Sequence, residues 1–409
     1  MLPTTLEPTR WQQLALRVEA ATPDGRDRAL DAFRALAITG VVTGHWLVGA
    51  LVLGPDGALA ITSPLRTIEA LAPASWFLQM LGLFFLVGGY AATTSLDRAS
   101  ARGLGHAAWL QRRLVRMGRP VLAGLAASAV VIGALAAVGV PAGTLRVWLI
   151  LFVQPLWFVV VYGLATVLTR LAVAADRRFG GWAALVLAAV VAVGDLLRYG
   201  PWQDVVPAWV GLVNILPGWL FGYQLGISWA RGRLRRAGWP VLLAGAGAFV
   251  LLLVDLGYPA SMVGIPGADR SNANPPSLLV IALAAIQAGA AILLRDRVAR
   301  LMRRSSVWAV VAMVNAAAMT IFCWHQVPLV LVSLGGAAID GVPGLTDDPN
   351  NLGWLVARLP WLVVMAGVLV AVVAWTRRFE RPWHGLGTRH RVLVGVLVAG
   401  FVGWAVALY

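Results

Sequence analysis

The chain has 409 residues, of which 59% are hydrophobic and 12% charged, about half the roughly 25% charge of soluble domains. That composition excludes a water-soluble globule. All 33 basic residues are arginines, set against 18 Asp and Glu, and the resulting charge of +15 raises nucleic-acid binding as a question that the arginine placement answers.

The first 29 residues are polar and mix both signs of charge, with no apolar core or small-residue cleavage site. They read as a cytoplasmic tail rather than a cleaved signal peptide. From there apolar runs near the ~20 residues that a helix needs to cross hydrocarbon recur along the chain. They predict crossings at roughly 30–54, 76–96, 117–139, 146–169, 182–197, 206–230, 239–256, 277–294, 307–335, 354–376 and 392–409. The fold class is therefore all-α, a polytopic transmembrane helical bundle of ten to eleven spans. Its parts are the tail 1–29, a ten-span membrane domain 30–376, and a basic cytoplasmic loop with an additional C-terminal span over 377–409.

The tail and every second connection hold 27 of the 33 arginines. The opposite connections carry only Arg66, Arg146, Arg198 and Arg270, with carboxylates that include Asp347 and Asp348. By the positive-inside rule the N-terminus is cytoplasmic and the C-terminus external. The charge is thus a record of topology in a multi-pass plasma-membrane protein, and no nucleic-acid partner is expected. The lone cysteine, Cys323, falls inside the ninth predicted span and reads as a small buried hydrophobe.

Polar residues inside spans carry the information, because a charge at mid-membrane costs about 2.5–3.5 kcal/mol on insertion scales. The first span, RALDAFRALAITGVVTGHWLVGAL, holds Arg34 and His45. Eleven steps of 100° bring them to one face, roughly 16 Å apart along the axis. A guanidinium near the cytoplasmic surface can grip phosphate, and an imidazole deeper in can accept a hydroxyl proton near neutral pH. The plainer reading pairs Arg34 with Asp31 and gives His45 an interhelical hydrogen bond. In QRRLVRMGRP, Arg113 and Arg116 share a face before the third span, either as a polyphosphate clamp or as an anchor to lipid headgroups.

These residues resemble the integral-membrane acyltransferase family 3, which includes polysaccharide O-acetylases and macrolide acyltransferases. The resemblance covers most of the chain. It rests on LDAFRALAITGVVTGH, with an Arg, ten residues and a His at Arg34 and His45, on FFLVGGY, on Arg113 and Arg116, on PLWFVVVY at Pro155 to Tyr162, and on the late-span His in FCWHQ. It implies transfer of an acyl group, commonly acetyl, from cytoplasmic acyl-CoA to a hydroxyl of a glycan, glycolipid or secondary metabolite of the cell envelope.

Arg34, Arg113 and Arg116 are then candidates for holding the donor phosphates, and His45 is the catalytic candidate, as general base or acyl carrier. His325, about eighteen residues into a span that also starts on the cytoplasmic side, is expected at similar depth and is a second catalytic or acceptor-binding candidate. Asp31, Trp157, Tyr162, Asn214 and Gln287 are candidates for lining the site. No metal-ligand spacing is present, so acyl-CoA enters as a co-substrate with no resident cofactor. The competing reading is a permease or exporter of a glycolipid or metabolite whose Arg and His line a path.

Overall fold

The computed structural model describes residues 9–265, 270–337, 339 and 341–380. The predicted span 392–409 and the loop with His384 and His390 lie outside the described residues. In chain order the helices are α1 Arg10–Ala20, α2 Arg28–Val48, α3 Ala74–Leu78, α4 Leu81–Ala101, α5 His106–Ala137, α6 Ala142–Val153, α7 Trp157–Val167 and α8 Thr169–Phe179. They continue as α9 Trp182–Tyr199, α10 Ile215–Ala230, α11 Gly238–Val250, α12 Leu278–Leu301, α13 Ser305–Ala316, α14 Ala318–Trp324, α15 Val327–Gly336 and α16 Leu352–Thr376.

Eight helical segments among the described residues are long and apolar enough to cross a membrane, and they coincide with eight of the predicted spans. Two of the other predictions need correction. The first span does not run to residue 54: α2 stops at Val48, and β1 Ala50–Leu53 pairs antiparallel with β2 Leu59–Thr62. The turn chemistry of GPDG explains this, since Gly57 adopts φ +72° and Gly54 N–H donates to the Ala58 carbonyl at 2.8 Å. The ninth span, 307–335, is broken. α13 and α14 are bent by 61°, and α15 starts afresh after a two-residue turn with Pro328 in its first turn. Pro328 lacks the N–H that would bond the Trp324 carbonyl and its ring crowds that carbonyl, which favours the restart of helix seen here, although α5 and α16 do run through Pro120 and Pro360.

α2, at 21 residues, is about 31 Å long, enough to span, but it carries Arg28, Asp31 and Arg34. It tolerates them because it is an interior helix, with Ala37, Phe33 and Trp46 buried against its neighbours. The described part of the polar tail, from residue 9, is docked on the bundle. α1 packs along α13, Arg26 and Arg28 lie over the Trp308 ring at 5.4 and 4.9 Å, and the Trp308 indole donates to Thr22 at 2.7 Å.

α4 and α10 pack closely. Gly226 faces the Leu86 backbone so tightly that a methyl group there would overlap the Leu86 carbonyl. Gly226→Val is therefore expected to force the two helices apart and cost about 1–3 kcal/mol, the range for overpacking. The check is a lower aggregation temperature in detergent than for wild type; an unchanged temperature would contradict this packing.

Candidate active site

α2 presents its polar stripe to the broken span. Near the N-terminal end of α2, Asp31 accepts from Arg26 Nε at 2.6 Å and from Arg34 Nη1 at 3.4 Å, so Arg34 is ion-paired as the plainer reading anticipated. The Asp31 backbone carbonyl accepts from Asn315 Nδ2 of α13 at 2.7 Å. Near the C-terminal end of α2, His45 meets His325, which follows α14, with Nδ1 and Nε2 2.5 Å apart and ring centroids 4.8 Å apart. Both ends of the stripe thus face one element rather than lipid.

The break in that element builds the histidine pair. With the helix interrupted before Pro328, the Phe322 carbonyl receives the His325 ring at 2.7 Å, and the His325 carbonyl receives the Trp46 indole N–H at 2.6 Å. A carbonyl only accepts, so His325 Nδ1 carries the proton in this bond. His325 Nε2 is then a lone-pair acceptor in the neutral ring and takes the His45 Nδ1 proton. What remains is His45 Nε2, with its lone pair free. His325 is fully buried and His45 half-buried, so the less buried member of the pair holds the available base.

Arg358 is a further residue of this site that the sequence reading passed over. It sits in α16 with no exposed surface and donates Nε to the Trp46 carbonyl at 2.9 Å, Nη2 to the Gly49 carbonyl at 3.0 Å and Nη1 to the Gly344 carbonyl at 2.9 Å. Trp46 and Gly49 flank the end of α2, where helical carbonyls lack intrahelical donors and the dipole favours a cation. One guanidinium therefore fixes the last turn of α2, next to His45. An arginine inside the apolar run LGWLVARLPWLVV was the available signal.

The other candidates separate. Tyr162 belongs to an aromatic cluster with Phe84, Phe85, Phe158 and Tyr223, and Trp157 joins it through Phe158 and Trp219 while remaining 40% exposed. Phe322 connects this cluster to the histidines, with ring centroids 4.8 Å from Phe158 and 5.7 Å from His325. Arg113 lies over the Trp109 ring at 5.3 Å and Arg116 is exposed, both on α5. No contact among the described residues joins either of them to Arg34.

Asn214 and Gln287 hold helices together. Asn214 Nδ2 donates to Asp195 at 3.0 Å, while Gln287 donates to the Gln79 carbonyl at 2.6 Å and accepts from Leu83 N–H at 2.8 Å. Gln287 thus has both ends of its amide engaged, whereas Asn214 commits Nδ2 to Asp195 and keeps a buried Oδ1 without a partner.

No individually curated protein and no solved structure matches the chain significantly. A family model described as an acyltransferase domain matches residues 27–377, from the N-cap of α2 to just past the end of α16. That match takes in the α2 stripe, the broken span and Arg358 together, and the chain belongs to the membrane acyltransferase family 3.

Proposed function

We propose that this membrane acyltransferase moves an acyl group, acetyl by preference, from acyl-CoA to a hydroxyl on a glycan, glycolipid or secondary metabolite, with His45 as the general base. The observation that carries the reading is the 2.5 Å contact between His45 and His325. It leaves His45 Nε2 as the acceptor for the substrate proton. The hydroxyl oxygen attacks the thioester carbonyl carbon while Nε2 takes its proton. The C–S bond then breaks, and the imidazolium returns that proton to the departing sulfur, giving an ester and the free thiol. His325 orients His45 and, by accepting its Nδ1–H, stabilises the imidazolium that forms, in the position of the third member of a triad.

The arginine-rich ends of the helices are the cytoplasmic face in this reading, so the N-terminus is inside and the bilayer is the plasma membrane. The donor enters there. Arg34 has one nitrogen committed to Asp31, leaving the rest of its fork for a phosphate, and Arg113 and Arg116 on α5 are further candidates for the donor phosphates.

The test is thiol release from acetyl-CoA by the purified chain, supplied with envelope extracts as acceptor, with the acylated product identified by mass spectrometry. Arg34→Gln is expected to raise KM for acetyl-CoA about tenfold, the loss of roughly one charge-assisted hydrogen bond, with a smaller change in kcat. An exporter would move a metabolite without consuming thioester, and an absence of thiol release with every extract would overturn the assignment.

A further inference from the structure

A second charged site lies outside the His45 stripe. At the arginine-rich end of the bundle, between α4, α10 and α12, a cavity of about 380 Å³ is lined by Tyr90, Trp229, Arg231, Arg235 and Arg295, with no carboxylate in its wall. Its volume is at the small end of the roughly 300–1,000 Å³ of ligand pockets, room for a phosphate-bearing head rather than a whole substrate.

The chain builds this site through the turn RGRLRR that follows α10. Gly232 adopts φ +83°, which lets the backbone reverse, and Arg233 reaches back to the fully buried Asp176 at 3.1 Å. Ser228 of α10 donates to the same carboxylate. With Arg233 spent on that anchor, Arg231 and Arg235 are left in the wall of the cavity.

Their partners leave donors over. Arg231 pairs with the half-exposed Asp97 through Nη2 at 3.1 Å, and Arg295 pairs with Asp27 through Nη2 at 2.7 Å. In both, Nε is buried and has no hydrogen-bond partner. The Arg235 guanidinium has no ion pair among the described residues. Three guanidiniums answered by two carboxylates in the wall of one concavity describe a receptor for an anion. A basic niche between transmembrane helices on this face suits phosphate oxygens.

We propose that this cavity binds a phosphate group, carried by a nucleotide or by a glycerophospholipid head, separately from the reaction at His45. The inference stands on the cavity and does not depend on acyl transfer.

The full chain is placed in phosphatidylcholine nanodiscs and titrated with adenosine 3′,5′-bisphosphate. In parallel, chain extracted from membranes is examined by native mass spectrometry for retained phosphatidylglycerol. Arg235→Gln is the informative variant, since Arg235 holds no structural ion pair; Arg178→Gln, on the exposed end of α8, is the control for diffuse surface charge. Arg235→Gln is expected to weaken bisphosphate binding about tenfold, or to strip the bound lipid, while Arg178→Gln does neither. The first result assigns a soluble nucleotide and the second a lipid, and both support the site. Equal behaviour of Arg235→Gln and wild type in both arms, or equal losses in the two variants, would overturn it. His45→Ala should leave this binding intact, so the two readings fail separately.

Discussion

His45→Ala is expected to lower kcat for acyl transfer by about 10²–10⁴, the contribution of a positioned general base, with little change in KM for the donor. The expectation follows from where the lone pair sits. Removing the His45 ring releases His325 Nε2, but that imidazole is fully buried, tied to the Phe322 carbonyl and centred 4.8 Å behind the lost ring, so it is misplaced to take over the proton. Folding should survive, because the residue is half-buried and α2 is held independently through Trp46 and Arg358. The measurement is single-turnover thiol release beside a melting curve. Acid quenching of the wild-type reaction adds a further reading: a labelled acyl group recovered on His45 would show an acyl-imidazole and replace the general-base step. Retained turnover in a folded His45→Ala chain would remove the imidazole from the chemistry.

His325 makes the prediction more specific than loss of activity alone. His325→Ala removes the acceptor for the His45 Nδ1 proton and leaves the ring free to choose the other tautomer, as happens when the third member of a triad is altered. His325→Gln supplies an amide oxygen that can accept the same proton and an amide N–H that can reach the Phe322 carbonyl. Gln should therefore keep appreciably more turnover than Ala. If the two are equal, His325 is only packing, and the tautomer argument fails.

Much of the bundle was legible because apolar length is a strong signal in hydrocarbon, where backbone groups must be satisfied within the helix. Arg34 and His45 were legible from periodicity, and the equal depth of His325 from counting residues into its span. What the apolar pattern hid were places where local chemistry overrides it. The hairpin 50–62 continues the hydrophobicity of α2, yet Pro55, Asp56 and Gly57 turn it. The broken span is apolar over most of its length, and its few polar residues do not mark the break; Pro328 is the sequence feature at the restart of helix beside His325. Asn214 and Gln287 carry the same side chains that a substrate path would use. Only their partners, Asp195 and the backbone around Gln79, distinguish a helix contact from a lining residue.

Arg358 is the substitution expected to matter most after His45, and its two variants should fail differently. Arg358→Met leaves the carbonyls of Trp46, Gly49 and Gly344 without these donors. At about 1–3 kcal/mol for each buried group left unsatisfied, that is comparable to the whole stability of many folded domains. The chain should express poorly or aggregate on extraction. Arg358→Lys keeps a charge but replaces a rigid fork with one flexible ammonium on a shorter reach, which cannot span three carbonyls set by two separate segments. The folded protein should persist while the last turn of α2 relaxes. A displacement of His45 by about 1 Å is enough to lose roughly 10² in rate. The expected result for Lys is therefore a fall in kcat with the donor KM preserved, and for Met a loss of the protein itself. Full activity in Arg358→Lys would mean that α2 holds its final turn without the three-way contact, and that His325 and Trp46 alone place the base.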